Sequence, residues 1–226
     1  MPVDQDSRFT DRRHAGRELA ARLQHYAGRA DVVVLALPRG GVPVGFEIAR
    51  SLAADLDVFL VRKLGVPGSQ ELAMGAIASG GVRVLNEDVV RWYSIPIDPI
   101  DGVARQEQQE LERRERAYRV DRPAVDLHGR TAIIVDDGLA TGSTMRAAIE
   151  AVRRHEPSRV VVAVPVAAPS TCRELQPLVD EIVCARIPER FSAVGLWYKD
   201  FSQTTDDEVS RLLAEHRAIR AQGARR

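Results

Sequence analysis

The residues best suited to chemistry in this 226-residue chain lie in one stretch, Asp136-Asp137-Gly138-Leu139-Ala140-Thr141-Gly142-Ser143-Thr144. An apolar run, Thr131-Ala132-Ile133-Ile134-Val135, precedes it, and helical periodicity from Ser143 to His155 follows. The pattern predicts strand, turn and helix, with two carboxylates at the strand's C-terminal end, the edge where open α/β sheets bind ligands. Gly142 lets the backbone approach a ligand closely. The N–H groups of the turn and of the first helical residues have no intrahelical partners and can converge on an anion. Thr141, Ser143 and Thr144 add hydroxyl donors. These parts make a cradle for a phosphate. Adjacent carboxylates would repel a phosphate, but they suit the hydroxyls of a ribose or a hydrated Mg2+. A diol site beside a phosphate site describes a ribose 5-phosphate. The stretch lacks the Gly-Lys-Ser/Thr of a Walker loop, and its glycine spacing is not that of a dinucleotide fingerprint.

A second loop, Leu37-Pro38-Arg39-Gly40-Gly41-Val42-Pro43, also follows an apolar run and precedes a helical segment. Gly40 and Gly41 permit positive φ and exposed N–H groups, Arg39 offers a fork of donors, and Pro43 suits a first helical turn. By itself this is a tight turn; beside the first loop it is a candidate anion site. Arg62-Lys63 ends a further apolar run. Gly65 to Gly81 then follows, glycine-rich and without periodicity, which is the mark of disorder or of a functional lid. Glu71 is the acid inside it and reads either as a group near a substrate or as a helix N-terminal acid. The segment Phe191 to Phe201 gathers aromatics in a chain with only 5% aromatic content. There Trp197, Tyr198 or Phe201 could stack a planar base or pack in a core or interface.

The elements that must position these residues form a βα alternation. Strand-like runs cover Val32–Leu37, Val58–Val61, Thr131–Val135, Arg159–Val164 and Glu181–Ala185, with helical segments at Pro43–Ala54, Ser143–His155 and Ser170–Leu178. Continuous apolar runs suit parallel strands covered on both faces, so the expected class is α/β, a doubly wound, mostly parallel sheet flanked by helices. Asp11 to Ala27 reads as an amphipathic N-terminal helix. Asp101 to Arg119 reads as a very polar helix whose Arg113, Arg114, Arg116 and Arg119 pair with Glu110, Glu112 and Glu115 on a solvated face. Thr205-Asp206-Asp207-Glu208 is a capping box for a last helix. No repeat or linker divides the chain.

Val135 to Thr144 resembles the phosphoribosyl-pyrophosphate loop of the type I phosphoribosyltransferases: two acids, three mostly small or apolar residues, then Thr-Gly-x-Thr. The resemblance spans roughly residues 30 to 190, and the chain looks closer to a group of bacterial phosphoribosyltransferases of unassigned substrate than to a standard adenine enzyme. It implies an enzyme that uses 5-phosphoribosyl-1-pyrophosphate and Mg2+, a nitrogenous acceptor and a homodimer. It implies roles as well. Asp136 and Asp137 would hold the ribose hydroxyls, one of them reaching the metal. Gly138 to Thr144, including Leu139 and Ala140, would surround the 5-phosphate. Arg39, Gly40 and Gly41 would meet pyrophosphate, and Arg39-Gly40 is a candidate cis peptide. Residues 63–81 would form a lid, Arg62 and Lys63 would neutralise the leaving group, and Glu71, inside the lid, would work near the base. Residues 187–226 would form a hood, all within one domain over 1–226. Hypoxanthine–guanine enzymes of the family carry an aspartate where this chain has Ala140, so the Leu139-Ala140-Thr141-Gly142 run is more like the adenine enzymes.

Composition trims the alternatives. Lysine plus arginine equals aspartate plus glutamate at 32 each, which argues against a general nucleic-acid binder. Met1 to Arg17 is polar, with no apolar core of a signal peptide, and no stretch is apolar enough to span a bilayer; the expectation is a cytoplasmic protein without a membrane partner. Cys172 and Cys184 sit near no second Cys or His at metal-ligand spacing and read as two free buried thiols. A regulator that senses the same ligand without catalysis remains an alternative. An α/β-hydrolase-like enzyme is a second alternative, although no Gly-x-Ser-x-Gly elbow is present.

Overall fold

A computed structural model describes residues 8–67, 69–120 and 122–223; the side chains of 69–71 lie outside it. Five strands, β1 (Val32–Ala36), β2 (Asp55–Val58), β6 (Thr131–Val135), β7 (Arg159–Val166) and β8 (Glu181–Arg186), form a sheet in the order β2-β1-β6-β7-β8. Every pairing in it is parallel. The two-residue period of the strands explains why their runs are apolar throughout. Val32, Val34, Ile133, Val135, Val161 and Ala163 face one core, while Val33, Leu35, Ile134, Val160 and Val162 face another. The first core is closed by α1 (Arg12–Arg22) and α2 (Gly41–Leu52) through Leu19, Ala20, Val44 and Ile48. The second is closed by α5 (Ser143–Arg153) and α6 (Pro169–Leu175) through Met145, Ile149 and Leu175. The expected doubly wound sheet is therefore present. The Asp11 side chain caps α1 by accepting from the His14 N–H at 2.7 Å.

The remaining elements correct the reading. Val58–Val61 is not one strand: β2 ends at Val58, and β3 (Val61–Val66) starts a second, antiparallel sheet with β4 (Ser69–Ala78) and β5 (Val82–Leu85). Arg62 and Lys63 thus begin a strand rather than end one. Gly65–Gly81 is mostly sheet. Its apolar residues Met74, Ile77 and Ala78 are buried, but glycines and a register shift around Gly65 hide the strand period. A short helix, α3 (Glu87–Trp92), leads to the polar helix α4 (Ile97–Arg119), and α7 (Asp206–Gly223) closes the described chain. Val209, Leu212 and Leu213 of α7 join Ile100, Leu111 and Tyr118 of α4 and Phe46 of α2 in a further core. The outer face of α4 carries the expected pairs of Glu110 with Arg113 and Arg114. Arg119, however, is buried and not solvated. Its Nε donates to Asp57 at 3.1 Å and its Nη2 to the Val58 carbonyl at 2.9 Å, tying α4 to the edge of the main sheet. Among the described residues no helix is long and apolar enough to cross a membrane.

Candidate active site

β1 and β6 are adjacent, so their C-terminal ends place the loops that follow them side by side. The Leu37 N–H donates to the Val135 carbonyl at 2.8 Å, extending that pairing into the loops. Gly40 and Gly41 are needed for contact rather than for positive φ. Gly40 has φ −61°, and Gly41 already opens α2. A Cβ on Gly40 would lie 2.6 Å from Asp137 Cγ, and one on Gly41 would lie 2.6 Å from the Val135 carbonyl oxygen. The backbone of one loop is thus pressed onto the acids of the other. The cis peptide of this loop is Pro38-Arg39, one bond earlier than expected. Arg39 is about one-third exposed and stands 4.0 Å from Asp206, the first residue of α7.

The phosphate loop is pegged from below. Leu139 is buried and bridges to Ala167: its N–H donates to the Val166 carbonyl, and its own carbonyl accepts from Ala168, both at 2.9 Å. Its side chain belongs to the core, so Leu139 shapes the loop without facing a ligand. The Thr171 hydroxyl of α6 donates to the Ala140 carbonyl. Gly142 has φ +71°, and a Cβ there would meet the Thr171 methyl at 2.5 Å, so two independent demands converge on glycine. Gly138 is pressed in the same way against Val194, 2.5 Å from a would-be Cβ. Above these anchors Ala140, Thr141 and Ser143 are exposed and Thr144 is half-buried, and a helix's first-turn N–H groups have no intrahelical partners. Thr141 and Ser143 also line a cleft of about 470 Å3 with Lys63, Arg146 and the β4–β5 edge. Lys63 therefore stands at the phosphate-loop side of the site.

The acid pair is electrostatically loaded. Burial, and then the charge of Asp137, push Asp136 well above the usual carboxylate range. Burial raises Asp137 too, against the pull of Arg12, whose Nε donates to Asp137 Oδ2 at 2.8 Å. Such a pair is relieved by hydroxyl donors or by a cation. Among the described residues no third His, Cys, Asp or Glu stands close enough to complete a metal cluster. Carboxylate oxygens are donors of the kind Mg2+ takes, with waters filling the rest of its shell.

Other expected residues are not brought to the site. Arg62 is held by Glu107 of α4, to which its Nε donates at 2.6 Å, and is not free for a leaving group. The Glu71 side chain lies outside the described residues. Trp197 and Tyr198 are buried, packed with Phe9, so they cannot stack a base; Phe201 is the partly exposed aromatic. Tyr198 still serves the site, because its hydroxyl donates to the Asp137 carbonyl at 2.6 Å, and burial holds that hydroxyl far above its ordinary pKa. Both ends of the described chain meet here: the Phe9 N–H donates to the Trp197 carbonyl, and that of Lys199 to the Phe9 carbonyl, each at 2.8 Å. Arg12 is the residue that reading along the chain missed. Nothing local marks it among 32 basic residues, and its partner lies 125 positions away.

Comparison with known proteins shows the family of the chain. A family model described as phosphoribosyl transferase domain matches residues 8–195. Two curated proteins of Mycobacterium tuberculosis, each named only provisionally as a phosphoribosyl transferase, are 50% identical over 217 residues, 96% of this chain and 49% of theirs. The chain thus spans about half the length of the curated relatives it matches. A crystal structure of a Thermus thermophilus protein is 44% identical, with a TM-score of 0.82 over 92% of this chain and 98% of that one.

Proposed function

The chain belongs to the phosphoribosyl transferase domain family, and from that premise we propose that it moves the phosphoribosyl group of 5-phosphoribosyl-1-pyrophosphate to a nitrogen of a planar base, with Mg2+, releasing pyrophosphate. The observation that carries this reading is the placement of Asp136 and Asp137 between the N-terminus of α5 and the Gly40 backbone. That order, anion cradle, diol acceptor, second anion loop, matches the order of 5-phosphate, ribose and pyrophosphate along the substrate.

In this reading Thr141, Ser143, Thr144 and the first-turn N–H groups of α5 bind the 5-phosphate. Asp136 and Asp137 accept from the ribose hydroxyls and contribute to the metal shell. Bound Mg2+ would supply charge neutralisation to the pyrophosphate. As the bond from ribose C1 to pyrophosphate oxygen breaks, positive charge grows on the ring and negative charge on the leaving group. Arg39 and the Gly40–Gly41 backbone face that negative charge, and Lys63 adds a cation from the cleft beside Thr141 and Ser143. The acceptor nitrogen attacks C1 directly, and no covalent enzyme intermediate is needed. The site acids are thus holders of substrate rather than nucleophiles.

The test combines calorimetric titration of phosphoribosyl pyrophosphate with Mg2+ and a pyrophosphate-release assay over a panel of nitrogenous acceptors. Release dependent on one acceptor class supports the reading. Tight binding without release for any acceptor favours the sensing regulator. Wild-type affinity in the Asp136→Asn/Asp137→Asn double variant refutes the ribose assignment.

A further inference from the structure

We infer that Arg12 is a positioning residue that aims Asp137 at the ribose and fastens the C-terminal segment beside it. This rests on the reading of the acid pair as the ribose site. Arg12 opens α1, where the Asp11 cap fixes its backbone. Its Nε donates to Asp137 Oδ2 at 2.8 Å and its Nη1 to the Ser202 carbonyl at 2.7 Å, while its guanidinium carbon lies 3.9 Å from the Phe201 ring centroid. One planar fork thus joins the first helix, the acid pair and the C-terminal segment. Both side chains of the ion pair are largely buried, 12% and 16% exposed, so the contact is shielded from water. Arg12 occupies one carboxylate oxygen. The other is left to a ligand hydroxyl. A lysine could keep the charge but not the three-way geometry.

The test is metal-free calorimetry with ribose 5-phosphate, 2-deoxyribose 5-phosphate and inorganic phosphate, on wild type, Arg12→Ala and Arg12→Lys. The wild type should prefer the ribose compound over its deoxy analogue. Arg12→Ala should lose about 10–100-fold in ribose 5-phosphate affinity, the usual effect of removing a group that orients a ligand-binding side chain, with inorganic phosphate affinity unchanged. Arg12→Lys should fall between, and it makes the same comparison if the alanine variant does not fold. Retained preference in both folded variants overturns the role of Arg12. Absence of preference in the wild type overturns the ribose reading itself, and Arg12's role with it.

The geometry points independently to a redox device on the opposite side of the phosphate loop: Cys172 and Cys184 are placed to close a reversible disulfide that moves the loop. Cys172 lies on α6 and Cys184 on β8, and their sulfurs are 3.5 Å apart. Both are free thiols. A bond needs about 2.05 Å, so the sulfurs must approach by roughly 1.5 Å. The residue next to Cys172 is Thr171, which holds the Ala140 carbonyl and packs on Gly142. A shift of α6 is therefore delivered to the cradle. The contact from Cys184 lowers the Cys172 thiol, which favours its thiolate as the attacking group. With hydrogen peroxide as oxidant, the Cys172 thiolate attacks one oxygen, giving sulfenic acid and hydroxide. The Cys184 thiol then displaces water from that sulfenic acid and forms the S–S bond.

Stoichiometric peroxide should remove both titratable thiols with loss of two hydrogens in intact mass, and dithiothreitol should restore them. In the oxidised form, amide exchange should rise across Ala140–Thr144. Cys184→Ser should form no intramolecular bond and show no peroxide-induced change in that exchange. Two thiols still countable after peroxide, or a disulfide that leaves loop exchange unchanged, overturns the proposal; neither readout depends on knowing the substrate.

Discussion

One methyl group at Gly40 should disable the site by displacing an acid that lies 97 positions further along the chain. In Gly40→Ala the new Cβ would sit 2.6 Å from Asp137 Cγ, closer still to Oδ2, and 3.3 Å from Arg12 Nε. Carbon atoms in good contact are about 3.5–4.0 Å apart, so the loop or the carboxylate must give way by roughly 1 Å. Overpacking of this kind costs about 1–3 kcal/mol. In a chain of this length each kcal/mol lowers Tm by about 2–4 °C. A misplacement of about 1 Å at a positioned group is enough to lose about 10²-fold in rate, so kcat/KM should fall by that order. Thermal melts and steady-state kinetics read the two effects separately. A control isolates the cause. Asp137→Ala removes the atoms that the methyl would strike, and in that background Gly40→Ala should cost less than about 0.5 kcal/mol, a coupling expected only between neighbours. Gly102→Ala, on the exposed face of α4 with no atom within 4 Å, should instead stabilise by about 0.5–1 kcal/mol. Gly40→Ala with wild-type turnover, or with the same stability loss in both backgrounds, would refute the argument that the loop is pressed onto Asp137.

Three further outcomes follow from other parts of the molecule. Arg119→Ala should destabilise by about 3–5 kcal/mol in urea melts, because it strands the buried Asp57 carboxylate; a loss below about 1 kcal/mol would mean that water replaces the guanidinium. His216 is buried with Nε2 3.0 Å from the Ala54 carbonyl, and burial holds its pKa below the ordinary 6.5. The unfolded chain therefore binds the proton first, so stability is full above pH 6.5 and declines as pH falls toward the folded value. Tm should drop more between about pH 7 and pH 5 in the wild type than in His216→Gln, and equal slopes would assign the acid loss elsewhere. Guanine and hypoxanthine should be poor acceptors. Ala140 cannot take a purine proton, and a positioned base contributes about 10²–10⁴-fold. A kcat/KM for guanine in the range of about 10⁴–10⁸ M⁻¹s⁻¹ would show that another residue supplies it.

The sequence by itself determined the main sheet and the edge at which the two candidate loops lie. The apolar runs at Val32, Thr131 and Arg159 could be read because a parallel strand buried on both faces needs no long-range information to be apolar throughout. The acid pair and the Thr-Gly-Ser-Thr cradle were legible for the same kind of reason: their chemistry is carried by neighbours in sequence. Strand β4 was not legible, because its one glycine, Gly75, answers to close backbone approach by β5, and its pairing with β3 shifts register around Gly65, both properties of the partner strands. Trp197 and Tyr198 could be read as aromatic but not as buried, since Phe9, which packs on Tyr198, comes from the other end of the chain. The tertiary structure alone decided that Gly40 rests on Asp137, that Arg12 pairs with Asp137 while Arg62 is held by Glu107, and that two unremarkable cysteines stand sulfur to sulfur. Local pattern reports which groups a segment owns. Which groups meet across the sheet edge depends on strand order, and strand order is a property of the packed core as a whole.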